Sequence, residues 1–254
     1  MRDFTLEIYS DLLAAIKKAG YTCLTYEQFV QQGQTGRNYI LRHDVDDLPE
    51  NSLATARLEA EAGMLGTYYF RIVDQSFRPN VIEAIAALGH EIGYHYEDLS
   101  LCHGNYDKAY EQFLVNLEKI RAYYPVKTIC MHGSPLSRWD NRLIWDKFDY
   151  KKSGILAEPY FDTDFSKVYY LTDTSRMWNG SGYSVRDKVR SSFQITVRST
   201  KDLIQKLDQD ALPSQVMQNI HPQRWTDDLL PWTKELVFQN AKNVVKRVIT
   251  RFNK

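Results

Sequence analysis

The chain predicts an α/β fold built on a parallel sheet, and three observations carry that expectation. Short apolar runs of strand length alternate with helical runs along most of its 254 residues. Each gap between strands is long enough to hold a crossover helix. The conspicuous polar residues fall just after the strands, at the end where such sheets gather ligands.

In order, Phe4, Ile8, Leu12, Leu13 and Ile16 make one stripe of an opening helix over residues 4–19, and Gly20 stops it. The alternation then runs strand Tyr39–Arg42, helix Pro49–Ala62, strand Gly66–Val73, helix Asn80–Leu88 and strand Glu91–His95. A helix over Tyr106–Tyr123 and a strand over Lys127–Met131 continue it. Residues 133–195 are less regular, with short candidate strands at Ser153–Ile155, Val168–Leu171 and Phe193–Thr196 between loops that could cover a site. A helix over Thr200–Asp208, a strand over Gln215–Ile220 and a final helix follow; in the last, Trp232, Leu236, Val244, Val245, Val248 and Ile249 recur at helical spacing. Without a repeat, low-complexity tract or linker, residues 1–254 read as a single domain.

Composition narrows the function classes. Thirty-two basic and thirty-two acidic residues cancel, so no global field recruits nucleic acid or an anionic membrane. Cys23, Cys102 and Cys130 are too few and too scattered for a disulfide framework and point to a reducing compartment. The acid-containing amino terminus is not a secretory signal, and no stretch approaches the roughly 20 apolar residues of a membrane span. A cytoplasmic protein with no integral membrane segment is expected, acting on a small molecule or glycan; an oligomeric partner is not specified.

The chemistry sits at the strand ends: Arg42-His43-Asp44-Val45-Asp46-Asp47, Gly93-Tyr94-His95-Tyr96-Glu97, Met131-His132-Gly133 and His221-Pro222. His43, His90, His95, His132 and His221, five of the six histidines, lie in or beside strands. In the first segment, strand alternation puts Arg42 and Asp44 on one face and His43 on the other. Two carboxylates two residues apart can divide the work, one holding a divalent ion and the other taking a proton from water. An Asp-plus-His donor set suits zinc and other first-row divalent ions. The bland reading is an acidic turn capping the helix that starts near Pro49.

These residues, with Gly66-Thr67-Tyr68-Tyr69-Phe70, Gly89-His90-Glu91-Ile92-Gly93-Tyr94-His95 and Ile220-His221-Pro222, resemble the polysaccharide deacetylase (NodB-homology, carbohydrate esterase family 4-like) superfamily. The likeness covers about residues 38–222 and is nearest to the divergent RHDVD-containing branch associated with surface polysaccharides. The resemblance implies a deformed (β/α) barrel, usually of seven strands, here with an extra N-terminal helix. It also implies metal-dependent removal of an acyl group from an N-acylated sugar, with zinc the expected ion. Carried over residue by residue, it makes Asp44 the general base, Asp46 a metal ligand, His95 the first metal-binding histidine and His221 the general acid. Asp47, beside Asp46, leaves the register of the carboxylates open. Asp173 matches the acid that orients the general-acid histidine.

Two departures stand out. Where the family has its second metal histidine, four residues after the first, this chain has Leu99. His132 is the preferred replacement, with Glu97 or Asp98 as substitutes. The family's arginine motif is also missing; Arg42 is the candidate for orienting Asp44 or contacting substrate. His43 reads as a hydrogen-bonded support, His90 and His103 as helix caps or loop residues, and Trp178 and Trp225 as a candidate substrate wall.

The expected activity is hydrolysis of the amide of an N-acetyl or other N-acyl amino sugar. One alternative is a small amide or a formylated sugar nucleotide as substrate. The other, suggested by Leu99, is a degenerate barrel that binds a glycan or partner without turnover.

Overall fold

The computed structural model describes residues 2–133, 137–178 and 189–252. Its elements run α1 (Leu6–Lys18), β1 (Thr22–Cys23), α2 (Tyr26–Gln31), β2 (Asn38–Val45), α3 (Pro49–Glu61), β3 (Gly66–Phe70), α4 (Pro79–Ala87) and β4 (Glu91–Tyr96). Then come α5 (Asp98–Leu101), α6 (Tyr106–Arg121), β5 (Ile129–Met131), α7 (Pro159–Asp162), β6 (Tyr169–Thr172), α8 (Thr200–Asp208), β7 (Gln215–Ile220) and α9 (Leu229–Phe252). The seven strands form one sheet in the order β5-β4-β3-β2-β7-β6, with β1 beside β2, and every pairing is parallel. The sheet curls into an incomplete, deformed (β/α) barrel whose edges are β5 and β6.

Local chemistry sets the elements. Thr5 caps α1 by accepting from the Ile8 N–H, and Leu12, Leu13 and Ile16 are buried on its inner stripe. All eight residues of β2 are buried, as a central parallel strand covered on both faces requires. Thr25 and Gln28 make a reciprocal capping box for α2, a helix too short to register as periodicity.

Register explains which side chains meet inside the barrel. Asp44 lies beside Tyr69, Tyr69 beside Gly93, and His95 beside Cys130, while Arg42 lies beside Asn219. Side chains alternate along each strand, so this set faces inward and His43, Tyr68 and Tyr94 face the helices. Gly93 is required here: a Cβ on it would meet the Tyr69 ring at 2.3 Å. Tyr69 thus fills the barrel beneath the strand ends.

Two expected strands are absent. Ser153–Ile155 falls at a 3-10 turn over Tyr150–Ser153 closed by Gly154 at φ 77°, and the nearby sheet contact is a single bridge between Thr128 and Ala157. Phe193–Thr196 makes no ladder; Phe193 and Ile195 pack by side chain on the core beneath α1, and the Ile195 carbonyl accepts from the Tyr169 hydroxyl. Cys23, Cys102 and Cys130 form no disulfide. Among the described residues no helix is long and apolar enough to cross a membrane.

Candidate metal centre

The carboxyl ends of β2, β4, β5 and β7 bring the expected residues together. Past β2 the chain turns tightly, the Asp46 N–H donating to the Asp44 carbonyl at 3.1 Å. His132, one residue beyond β5, stays in line because its N–H donates to the Tyr96 carbonyl at 2.9 Å.

Three donor atoms then face one point. Asp46 Oδ1 lies 3.5 Å from His95 Nε2 and 3.1 Å from His132 Nδ1, and those two nitrogens are 3.3 Å apart. Around an ion with bonds of ~2.0–2.1 Å, tetrahedral ligand atoms stand about 3.4 Å apart, so all three separations fit. Asp46 Oδ1 is buried and accepts no hydrogen bond. A proton shared between the two nitrogens would satisfy them and still leave that oxygen unbonded, whereas a cation satisfies all three.

The surroundings prepare the imidazoles for that role. His95 Nδ1 is 2.9 Å from the Cys130 carbonyl, which holds the proton on Nδ1 and presents the Nε2 lone pair to the centre. His132 turns Nε2 toward Glu97 at 3.9 Å, and Glu97 is itself gripped by Arg71 through bonds of 2.8 and 3.0 Å. Burial alone would raise the Asp46 carboxyl, but His132, His95 and His221 outweigh it and hold it well below the usual carboxylate range. His95 is pushed up: burial opposes its charge, yet Asp44 and Asp46 prevail.

Asp44 is held differently. Arg42 binds it bidentately at 2.9 and 2.7 Å, and Asn219 Nδ2 donates to Oδ2 at 2.9 Å. Burial is offset by Arg42, His95 and His221, and the carboxyl falls to about 2. Oδ2 lies 3.8 Å from His95 Nε2, beside the centre rather than in it. Asp44, His95 and Cys130 form a second convergent group. Its carboxylate already accepts two side chains, so the Asp46 group fits an ion better.

The fourth strand end supplies an acid–imidazole pair. Asp173 Oδ1 is 2.6 Å from His221 Nδ1, while both its oxygens accept the His221 N–H. Arg224 Nη1 at 2.8 Å and Trp225 Nε1 at 2.8 Å complete the shell around Asp173. Burial opposes ionisation of Asp173, but Arg224 and His221 outweigh it and lower its pKa. The ring of His221 is thereby fixed with Nε2 toward the centre, 3.8 Å from Asp46 Oδ2.

Several expectations need correction. Arg42 is buried on Asp44 and orients it; it is not placed to touch substrate. Trp178 and Trp225 form no substrate wall: they pack with Phe4, and Trp178 donates to Thr200 while Trp225 donates to Asp173. The rest of the Trp178 loop, residues 179–182, lies outside the described residues. Asp98 is no substitute ligand, being buried against Tyr94 and Asn116, and burial pushes it up to about 7. Leu99 is wholly buried in the apolar core. His43 contacts Glu59 on the sheet's far face and gives Asp44 no direct support. His90 does not cap α4; it accepts from the Gly66 N–H and contacts the Ala56 carbonyl.

Asn219, Arg224 and Arg71, which grips Glu97, were not marked by the sequence. Only the register that sets Asn219 beside Arg42 marks it as a partner of Asp44. No protein-family model and no curated protein matches the chain.

Proposed function

We propose that the chain is a metal-dependent hydrolase that removes an N-acyl group, N-acetyl in the simplest case, from an amino sugar. The observation that supports it is the meeting of a three-donor centre, a clamped carboxylate and a pinned imidazole at one barrel mouth. Asp46, His95 and His132 would hold the ion, and zinc suits one carboxylate and two imidazoles. When bound, such an ion supplies Lewis acidity toward the acyl oxygen and lowers the pKa of water to ~7.

The chain's own residues do the rest. Asp44, held by Arg42 and Asn219, takes a proton from the attacking water as its oxygen bonds the acyl carbon. A carboxyl held at about 2 is a weak base and serves only where the water is already acidified. The Asp44 assignment and the ion therefore stand or fall together. His221, kept in one orientation by Asp173, hands a proton to the nitrogen as its bond to the acyl carbon breaks. Acetate and a free amine leave. The resemblance to polysaccharide deacetylases favours an amino sugar of surface-polysaccharide or glycoconjugate synthesis over a small amide or a formylated sugar nucleotide.

The test is metal analysis after purification without chelators, paired with acetate release from amino-sugar nucleotides and chitooligosaccharides. We expect one ion per chain, lost in His95→Ala, and a rate ~10²- to 10⁴-fold lower in His221→Ala with the ion retained. A metal-free protein that binds glycan without turnover would sink the hydrolase and leave a binding barrel.

A further inference from the structure

The outer face of α9 is apolar without a covering element among the described residues. Among the described residues, five of the fourteen exposed large apolar side chains belong to this one helix: Leu229, Leu230, Val237, Phe238 and Val244. Leu230 is 83% exposed and Val237 64%. Leu230, Val237 and Val244 are spaced by seven, two helical turns, and so form one stripe. The opposite face holds the helix to the body. There Trp232 Nε1 donates to the Asp3 carbonyl at 2.8 Å, and Asn243 Nδ2 to the Ser175 carbonyl at 3.0 Å.

Charge decides what covers the stripe. Along α9 the sequence places Lys234, Lys242, Lys246, Arg247 and Arg251 against a single acid, Glu235. That acid is turned inward, 3.8 Å from Arg224. Lys242 lies over the Phe238 ring, 4.1 Å from its centroid, so cation and apolar surface adjoin. A chain with no net charge thus concentrates positive charge on one apolar helix. A second copy packed on this face would oppose like charges across the seam. An anionic bilayer instead offers acyl chains to the stripe and headgroups to the basic flanks.

We propose that the outer face of α9 docks the protein on an anionic lipid bilayer, the helix lying in the interface rather than crossing it. The docking rests on the helix alone and is independent of the hydrolase reading. It has a geometric consequence. The inner face of α9 holds Ser175, two residues beyond Asp173, so the lipid lies roughly one helix diameter, ~10 Å, from the chain carrying the acid–imidazole pair. Such a placement brings the barrel mouth near substrates carried in a membrane.

Vesicle co-sedimentation of the full chain tests this. Vesicles of phosphatidylcholine with phosphatidylglycerol should pellet the protein and those of phosphatidylcholine alone should not. Binding should weaken at ~1 M salt, where the screening length falls to ~3 Å. Leu230→Gln with Val237→Gln, which keeps charge unchanged, should cost about tenfold or more in partition. Lys234→Gln with Lys242→Gln should lower binding to the anionic vesicles roughly 30-fold, about 1 kcal/mol per lysine. All four side chains lie outside the core, so unchanged melting confirms that the variants are folded. No binding to anionic vesicles, or equal binding by the apolar double variant, overturns the proposal. A concentration-dependent dimer abolished by the same substitutions overturns it in favour of a second copy.

Discussion

Strand β2 separates two buried clusters made of the same residue types. On its inner face stand Asp44, with Asp46, His95, His132 and His221 gathered at the strand ends. On its outer face Glu59 takes hydrogen bonds from the Tyr9 and Tyr68 hydroxyls and faces His43 at 2.8 Å. Both nitrogens of His43 face acceptors, Tyr68 stacks flat on its ring at 4.0 Å, and His90 joins the Gly66 N–H to the Ala56 carbonyl. Every polar side-chain atom there has a hydrogen-bond partner, whereas on the inner face Asp46 Oδ1 accepts no hydrogen bond and two imidazole nitrogens point at the same space. Acids and histidines alone do not mark a reactive site. What marks it is incomplete satisfaction in a buried place, because a fully paired cluster has nothing left to bind with.

The largest expected effect tests the inner cluster. Asp46→Asn, or chelation of the wild type, should remove the ion and lower turnover on the order of 10⁴-fold or more, ~5 kcal/mol of barrier, with the metal-free protein still folded. Metal analysis, an acetate-release assay and thermal unfolding together check it. If Asp44→Asn lost the ion and Asp46→Asn kept it, the roles of the two carboxylates would be exchanged.

That distinction between clusters was only half legible in the sequence. Alternating strands and helices announced the parallel fold, because each long element carries its period in its apolar residues. Thr22–Cys23 and the six residues of α2 are too short to show a period. Asp46, His95 and His132 stood out because strand ends converge in such folds, and only the resemblance to deacetylases singled out Asp46 and His95 as ligands, with His132 as a replacement. Asn219 could not, since an amide within a strand looks like any polar residue until register sets it beside Arg42. Trp178 and Trp225 misled for the opposite reason. A large ring near polar residues reads as a wall for sugars, yet both side chains spend their N–H groups inside the protein. Residue type was visible; the pairing that separates support from chemistry was not.

The second effect falls on the outer cluster. Burial works against the Glu59 charge, but His43 and the surrounding donors outweigh it and lower its pKa. Glu59→Gln keeps one acceptor oxygen but sets an NH2 donor in place of the other and removes the buried negative charge that faces His43. It should cost ~3–5 kcal/mol in unfolding by denaturant, with the ion-to-protein ratio of the folded fraction unchanged. Loss of the ion with stability intact would erase the distinction between the two faces.

Asp44 belongs partly to each kind, and the smallest effect measures how far. Like Glu59 it is saturated with donors, and like Asp46 it borders the centre. Its folded value of about 2 lies below the ~3.9 of an unfolded aspartate. A depressed carboxyl stabilises the fold above its unfolded pKa and loses that contribution as pH falls toward the folded one. The amount is about 2 kcal/mol, lost between about pH 5 and pH 2. Asp44→Asn also leaves the Arg42 guanidinium buried without its counter-charge, but that cost is the same at every pH in this range. The informative quantity is therefore the slope. In metal-free protein, urea unfolding should show the gap between wild type and Asp44→Asn narrowing by about 2 kcal/mol as the pH is lowered. A gap independent of pH would mean that Arg42 and Asn219 do not hold Asp44 ionised, and with it would go the reason for placing the base on Asp44 rather than on Asp46.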